Sequence, residues 1–191
     1  MITRYYRYHG HRMKGRRKNG ATPVLFDLGF SVKVKKYVVL PGKVPIGESR
    51  VFDIVKDRSG DGERVWVAKA IHDEWIGPFK YRCDVERVYD GDTITKAVIH
   101  LGFDSFVTDR LRLFGINTPE MRGTSKEAGI ISRDRFSGLV LDKTVTVETV
   151  KVGEHRDSKG KYGRYLATVW IGRINVNKLL MDEGLAKRYG E

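Results

Sequence analysis

The ten residues LRLFGINTPE, Leu111 to Glu120, decide how this chain is read. Leu111 and Leu113 alternate with Arg112, the pattern of a strand with one apolar face. Arg112 shares its own side with Phe114 and Ile116, so a guanidinium emerges from a half-apolar wall. Arginine is rarely set there unless an anion meets it. Pro119 has no amide proton to continue a ladder, so the strand ends and Glu120 falls just past its rim. Asn117 brings an amide to that rim, beside Thr118, where an acid would have brought a charge.

Upstream, CDVERV reads as a strand, YDGD as a turn and TITKAVIHLG as a second strand, with Asp90 and Asp92 flanking Gly91. Downstream, Thr124 and Glu127 have the S/T-x-x-E spacing of a capping box, which predicts a helix running to about Leu141. KTVTVETV and YLATVWI follow as strands. NVNKLLMDE is a short helix stopped by Gly184. Five strands with a helix after the third predict a small closed barrel of the OB type, a mainly β fold with packed helices.

Hydrolysis of a phosphodiester needs cations against the phosphate oxygens and a carboxylate to orient or deprotonate water. Asp90 and Asp92 at one turn, Arg112, Glu120 past Pro119, and Arg164 after the loop KGKYGR supply such groups at strand ends. Alone, each has an ordinary explanation: an Asp-Gly turn, a salt-bridged arginine, a solvated glutamate. VYDGDTI, RLRLFGINTPE, KYGRYLATVWI and VNKLLMDEGLAK, in that order, resemble the staphylococcal nuclease (thermonuclease) family over about residues 81–189.

The resemblance implies a five-stranded OB barrel and a calcium-dependent nuclease of DNA and RNA that leaves 3′-phosphate ends. It makes Asp92 a calcium ligand, with Asp90 nearby and the Thr118 carbonyl and position 117 completing the set; other divalent ions are possible. Glu120 falls on the residue that activates water, and Arg112 and Arg164 on the pair that clamps the phosphate. Lys161, Tyr162 and Tyr189 match nucleotide-contacting positions, Tyr189 one residue out of register. Asn117 departs from the family's aspartate. An amide oxygen still coordinates calcium, but the lost charge costs on the order of a few kcal/mol at an effective dielectric near 20. Gly160 replaces an acid before KYGR, with Asp157 as a candidate substitute. A rival reading from another class is a barrel that holds nucleic acid without cutting it.

The remaining sequence predicts a basic, disordered tail over 1–20 and a small β-rich module over 21–80, ahead of the nuclease-like domain at 81–191. Of the net charge of +12, seven Lys/Arg and no acid lie in residues 1–20, among Tyr5, Tyr6 and Tyr8. Such a mixture suits phosphates and stacked bases. In the module, FSVKVKKYVVL, SRVFDIV and ERVWVAKAI read as strands, and WIGPFKY as a linker. DRSGDGE imitates an EF-hand opening, but Ala68 takes the place of the required glutamate, so it is read as a hairpin turn. LGF occurs at 28–30 and again at 101–103, a repeat read as coincidence rather than duplication. Cys83 is the only cysteine, which excludes an internal disulfide and fits a reducing compartment. No apolar run approaches membrane-span length and the N-terminus lacks the apolar core of a signal peptide, so a cytoplasmic protein is expected.

Overall fold

The computed structural model describes residues 6–15, 20–58, 62–71, 80–152 and 156–190. Strands β1 (Arg7–Arg12), β2 (Thr22–Asp27), β3 (Lys33–Val38), β4 (Ser49–Arg58) and β5 (Arg64–Ile71) form one antiparallel sheet in the order β3-β2-β1-β4-β5. Then come β6 (Lys80–Asp90), β7 (Thr93–Gly102), β8 (Ser105–Leu113), β9 (Ile116–Asn117) and helix α1 (Lys126–Val140). After these follow β10 (Thr144–Thr149), β11 (Lys151–Val152), β12 (Arg156–Asp157), β13 (Tyr165–Ile171), β14 (Ile174–Asn175), helix α2 (Val176–Asp182) and β15 (Lys187–Arg188).

The second sheet runs β10-β6-β7-β8-β13-β14 and closes through β10–β13. Taken as barrel strands one to five, the circuit is 1-2-3-5-4-1, and the β8–β13 pair is its parallel seam. This is the predicted OB barrel. Closure leaves no long free edge, and the alternation of KTVTVETV places Val145 and Val147 in the core. Asn177 holds the α2 end, accepting from Val169 N and donating to the Phe114 and Ala167 carbonyls.

Two expectations are corrected. Part of the supposed basic tail is β1, the central strand of the first sheet, with Tyr8 and Gly10 facing in and His9 and His11 on the other side. Its alternation is real, but the inward residues are a tyrosine and a glycine rather than aliphatics. The capping box does not form: Ser125 precedes α1, and its hydroxyl donates to the Glu120 and Arg122 carbonyls. The DRSGDGE hairpin joins β4 and β5, although its tip lies outside the described residues, as does most of the WIGPFKY linker.

The repeated LGF makes the joint between the two sheets. Both copies turn with positive φ, at Gly29, Phe30 and Ser31 and at Gly102, Phe103 and Asp104. Each phenylalanine crosses to the other sheet. Phe30 packs edge-on against Tyr81 and Tyr165, with ring centroids 5.1 and 4.7 Å away. Phe103 packs against Phe26 and Trp66 at 5.1 and 4.9 Å. The hydrogen bonds mirror this exchange: Tyr8 Oη donates to the Leu101 carbonyl and Tyr81 Oη to the Leu28 carbonyl, both at 2.8 Å. One apolar core therefore runs through both sheets.

Candidate active site

At one end of the barrel the first turn, the rim of β8 and the loop before α1 meet in a cavity of about 310 Å³. Asp90, Asp92, Arg112, Asn117, Thr118 and Glu120 line it, six of the ten residues singled out from the sequence. Tyr89 and Arg122 stand at its lip and were not foreseen, because nothing in their local pattern sets them apart from ordinary exposed side chains.

Local packing fixes the acid turn. Asp90 Oδ1 accepts from Asp92 N at 3.1 Å, an Asx turn that swings the second carboxylate inward. Only glycine fits between them: a Cβ on Gly91 would lie 2.4 Å from Ser132 Oγ and 2.8 Å from Thr118 Cγ2. Gly129 plays the matching part on α1, where a Cβ would meet the Glu120 carbonyl oxygen at 2.6 Å. The helix thus presses directly on the loop that carries Glu120.

Asp92 is 2% exposed. Its Oδ1 accepts from Arg112 Nη1 at 2.9 Å and from Thr93 Oγ1 at 3.0 Å, while Oδ2 faces Thr118 N at 3.3 Å. Arg112 reaches on with Nη2 to Asn117 Oδ1 at 2.9 Å. Arg164 Nη1 donates to Thr93 Oγ1 at 2.8 Å. One polar chain therefore links Arg164, Thr93, Asp92, Arg112 and Asn117. Thr93 is the member the sequence reading passed over; its signal was its place directly after the acid turn. Arg164 does not line the cavity itself and joins through this chain. Its Nε is buried without a partner, a donor left free for an anion.

Burial, together with the neighbouring Asp90 charge, pushes the Asp92 carboxyl up to about 6 in spite of Arg112. The donors do not fully offset the carboxylate's removal from water and the charge beside it. Asp90, Asp92, the Asn117 amide oxygen and the Thr118 carbonyl form an all-oxygen set suited to a hard divalent cation. Among the described residues no group of three or more His, Cys, Asp or Glu gathers, so a cation here would depend on the amide and carbonyl oxygens as well.

Glu120 lines the cavity at its lip, its side chain 71% exposed and 3.7 Å from Arg122 Nε. The other sequence candidates lie outside the lining. Tyr162 is exposed, with the Arg164 guanidinium 5.6 Å from its ring centre, and its carbonyl accepts from Arg110. Lys161 is exposed beside it. Tyr189 is exposed too, tied by its backbone N to the Gly115 carbonyl. Asp157 does not replace the acid lost before KYGR; it is buried against Lys151 and Phe30 N.

Residues 110–191 match the sequence model of the staphylococcal nuclease homologue family. The chain carries a staphylococcal nuclease-like domain. It is 36% identical over 103 residues to a thermonuclease of Staphylococcus intermedius, covering 54% of this chain and 56% of that one. It is 31% identical over 103 residues to the Staphylococcus hyicus thermonuclease, with the same shares. An uncharacterized endonuclease of Haemophilus influenzae is 32% identical over 110 residues, 58% of this chain and 53% of that one. The chain thus spans about half the length of the curated relatives it matches. The family match begins at Arg110, and the barrel brings Asp90, Asp92 and Thr93 back to it from outside that segment. Among the described residues no helix is long and apolar enough to cross a membrane.

Proposed function

We propose that this protein is a metal-dependent nuclease that hydrolyses phosphodiester bonds of DNA or RNA with little sequence preference, calcium being the ion the resemblance favours. The observation that carries the reading is the polar chain from Arg164 to Asn117, closed around a cavity with Glu120 at its lip. Arg112 is held as a fork by two acceptors and so presents a fixed guanidinium edge to a phosphate. Arg164, joined to the chain through Thr93, has an Nε without a hydrogen-bond partner. Glu120, exposed at the cavity lip, orients the water that attacks phosphorus and takes its proton. The P–O5′ bond breaks as the new P–O bond forms, leaving a 5′-hydroxyl and a 3′-phosphate. Asp90, Asp92, Asn117 and the Thr118 carbonyl would hold the ion, which supplies charge neutralisation at the phosphate. Residues 6–71 form a supporting module and 80–190 the nuclease domain in this reading.

The rival, a barrel that binds without cutting, draws on Asn117. A pure binder, however, gains nothing from Glu120, an acid that repels phosphate. Incubation with single-stranded DNA and RNA in calcium, magnesium, manganese or chelator separates the two. Glu120→Gln and Arg164→Ala are expected to lower metal-dependent cleavage by about 10²–10⁴-fold. Asn117→Asp is expected to reach the same rate at lower calcium. Binding with no cleavage under every ion would leave the rival standing.

A further inference from the structure

The strand β15 places a cation next to a cavity-lining residue, and no local motif announces it. Lys187 is the direct cross-strand partner of Asn117, and Arg188 that of Ile116. Directly opposed residues share one face, with Cα atoms roughly 4.5–5.5 Å apart. Asn117 lines the cavity, and Lys187, its cross-strand neighbour, lies just beyond the lining residues. The strand is well anchored there. Tyr189 N donates to the Gly115 carbonyl at 2.9 Å, and buried Ser132 Oγ donates to the Leu185 carbonyl at 2.8 Å.

The amide at 117 matters to this lysine. Its oxygen accepts from Arg112 and carries no full charge, so it sets no anion opposite the ammonium. An aspartate would have faced Lys187 across the ladder and neutralised it. With asparagine the ammonium is exposed, and no ion pair engages it among the described residues. Arg112, the Asn117 amide and Lys187 then form a row of donors leading out of the cavity.

Resting on the nuclease reading above, we propose that Lys187 binds the phosphate next to the one held at Arg112, and that Asn117 keeps it available. The substrate is then a polynucleotide gripped at successive phosphates, not a lone phosphodiester.

The test uses the full chain with Glu120→Gln as the non-cleaving parent. Fluorescence anisotropy follows a labelled single-stranded oligodeoxynucleotide between about 50 and 200 mM salt. Lys187→Ala and Lys187→Gln are expected to weaken binding about three- to tenfold. Each should flatten the log–log salt slope by about 0.7, the single-strand share of one phosphate. Lys187→Arg should restore both. Lys178→Ala, whose charge is paired with Asp182 on α2, should change neither. Affinity within twofold of the parent and an unchanged slope in both neutral variants would overturn the role of Lys187 alone. A parent that binds no oligonucleotide would overturn the nuclease reading, and this inference with it.

Discussion

Two buried carboxylates, Asp157 and Asp92, show how one side chain serves opposite ends. Asp157 sits at the joint between the sheets, 7% exposed, with Lys151 Nζ 2.5 Å from Oδ1 and Phe30 N 2.6 Å from Oδ2. Both oxygens have partners, one of them a full cation on the neighbouring strand. Asp92 also has donors on both oxygens, yet burial, with Asp90 beside it, pushes its carboxyl up to about 6. The first arrangement satisfies a charge and joins two sheets. The second leaves charge uncompensated where a cation can enter, and stability is given up to make a site.

The harshest way to break the comparison is to remove the sheet that Asp157 holds. Deleting residues 1–12 takes out β1, which pairs with both β2 and β4. A dispensable tail would leave melting unchanged. The central position of β1 predicts instead that cooperative unfolding of the N-terminal sheet disappears and that apolar dye binding rises, since Phe26 and Phe52 lose their cover.

Next in size is Asp157→Asn. It removes the carboxylate charge facing the buried Lys151, whose own charged form burial already disfavours. Removing one member of such a pair costs about 3–5 kcal/mol, read as a lower denaturant midpoint. Because Asp157 lies outside the cavity, cleavage well below the melting temperature should keep its metal dependence. Loss of cleavage with normal stability would move Asp157 into the active site.

Much of this division was legible in the sequence, for reasons specific to each residue. The barrel strands are amphipathic with aliphatic inner faces, and the site motifs lie at their ends, where pattern and function coincide. The strand β1 was hidden because Tyr8 and Gly10 serve as its inner face among arginines and histidines. Thr124 and Glu127 matched a cap, but the loop before α1 spends Ser125 on the Glu120 carbonyl instead. Lys187 could not be seen at all, because its role depends on pairing with a residue seventy positions earlier. LGF carried more than its three letters suggested: the turn conformation it permits places each phenylalanine across the joint.

The smallest effect is the most direct check on the other carboxylate. Asp92→Asn keeps an oxygen for Arg112 and Thr93 but removes the charge. Folded Asp92 titrates near 6, whereas an unfolded aspartate titrates near 3.9. Between those values the folded chain holds the proton more tightly, so ionising Asp92 lowers stability as pH rises from about 4 to 6, and the loss persists above that range. In chelator at pH 8 the amide variant should therefore be more stable than the parent by about 2–3 kcal/mol, with the gap closing near pH 4. Divalent ion should stabilise the parent and much less the variant, since a bound cation offsets the very charge the mutation deletes. If Asp92→Asn is less stable than the parent at pH 8 without metal, Asp92 is a structural anchor like Asp157 and the contrast between the two ends fails.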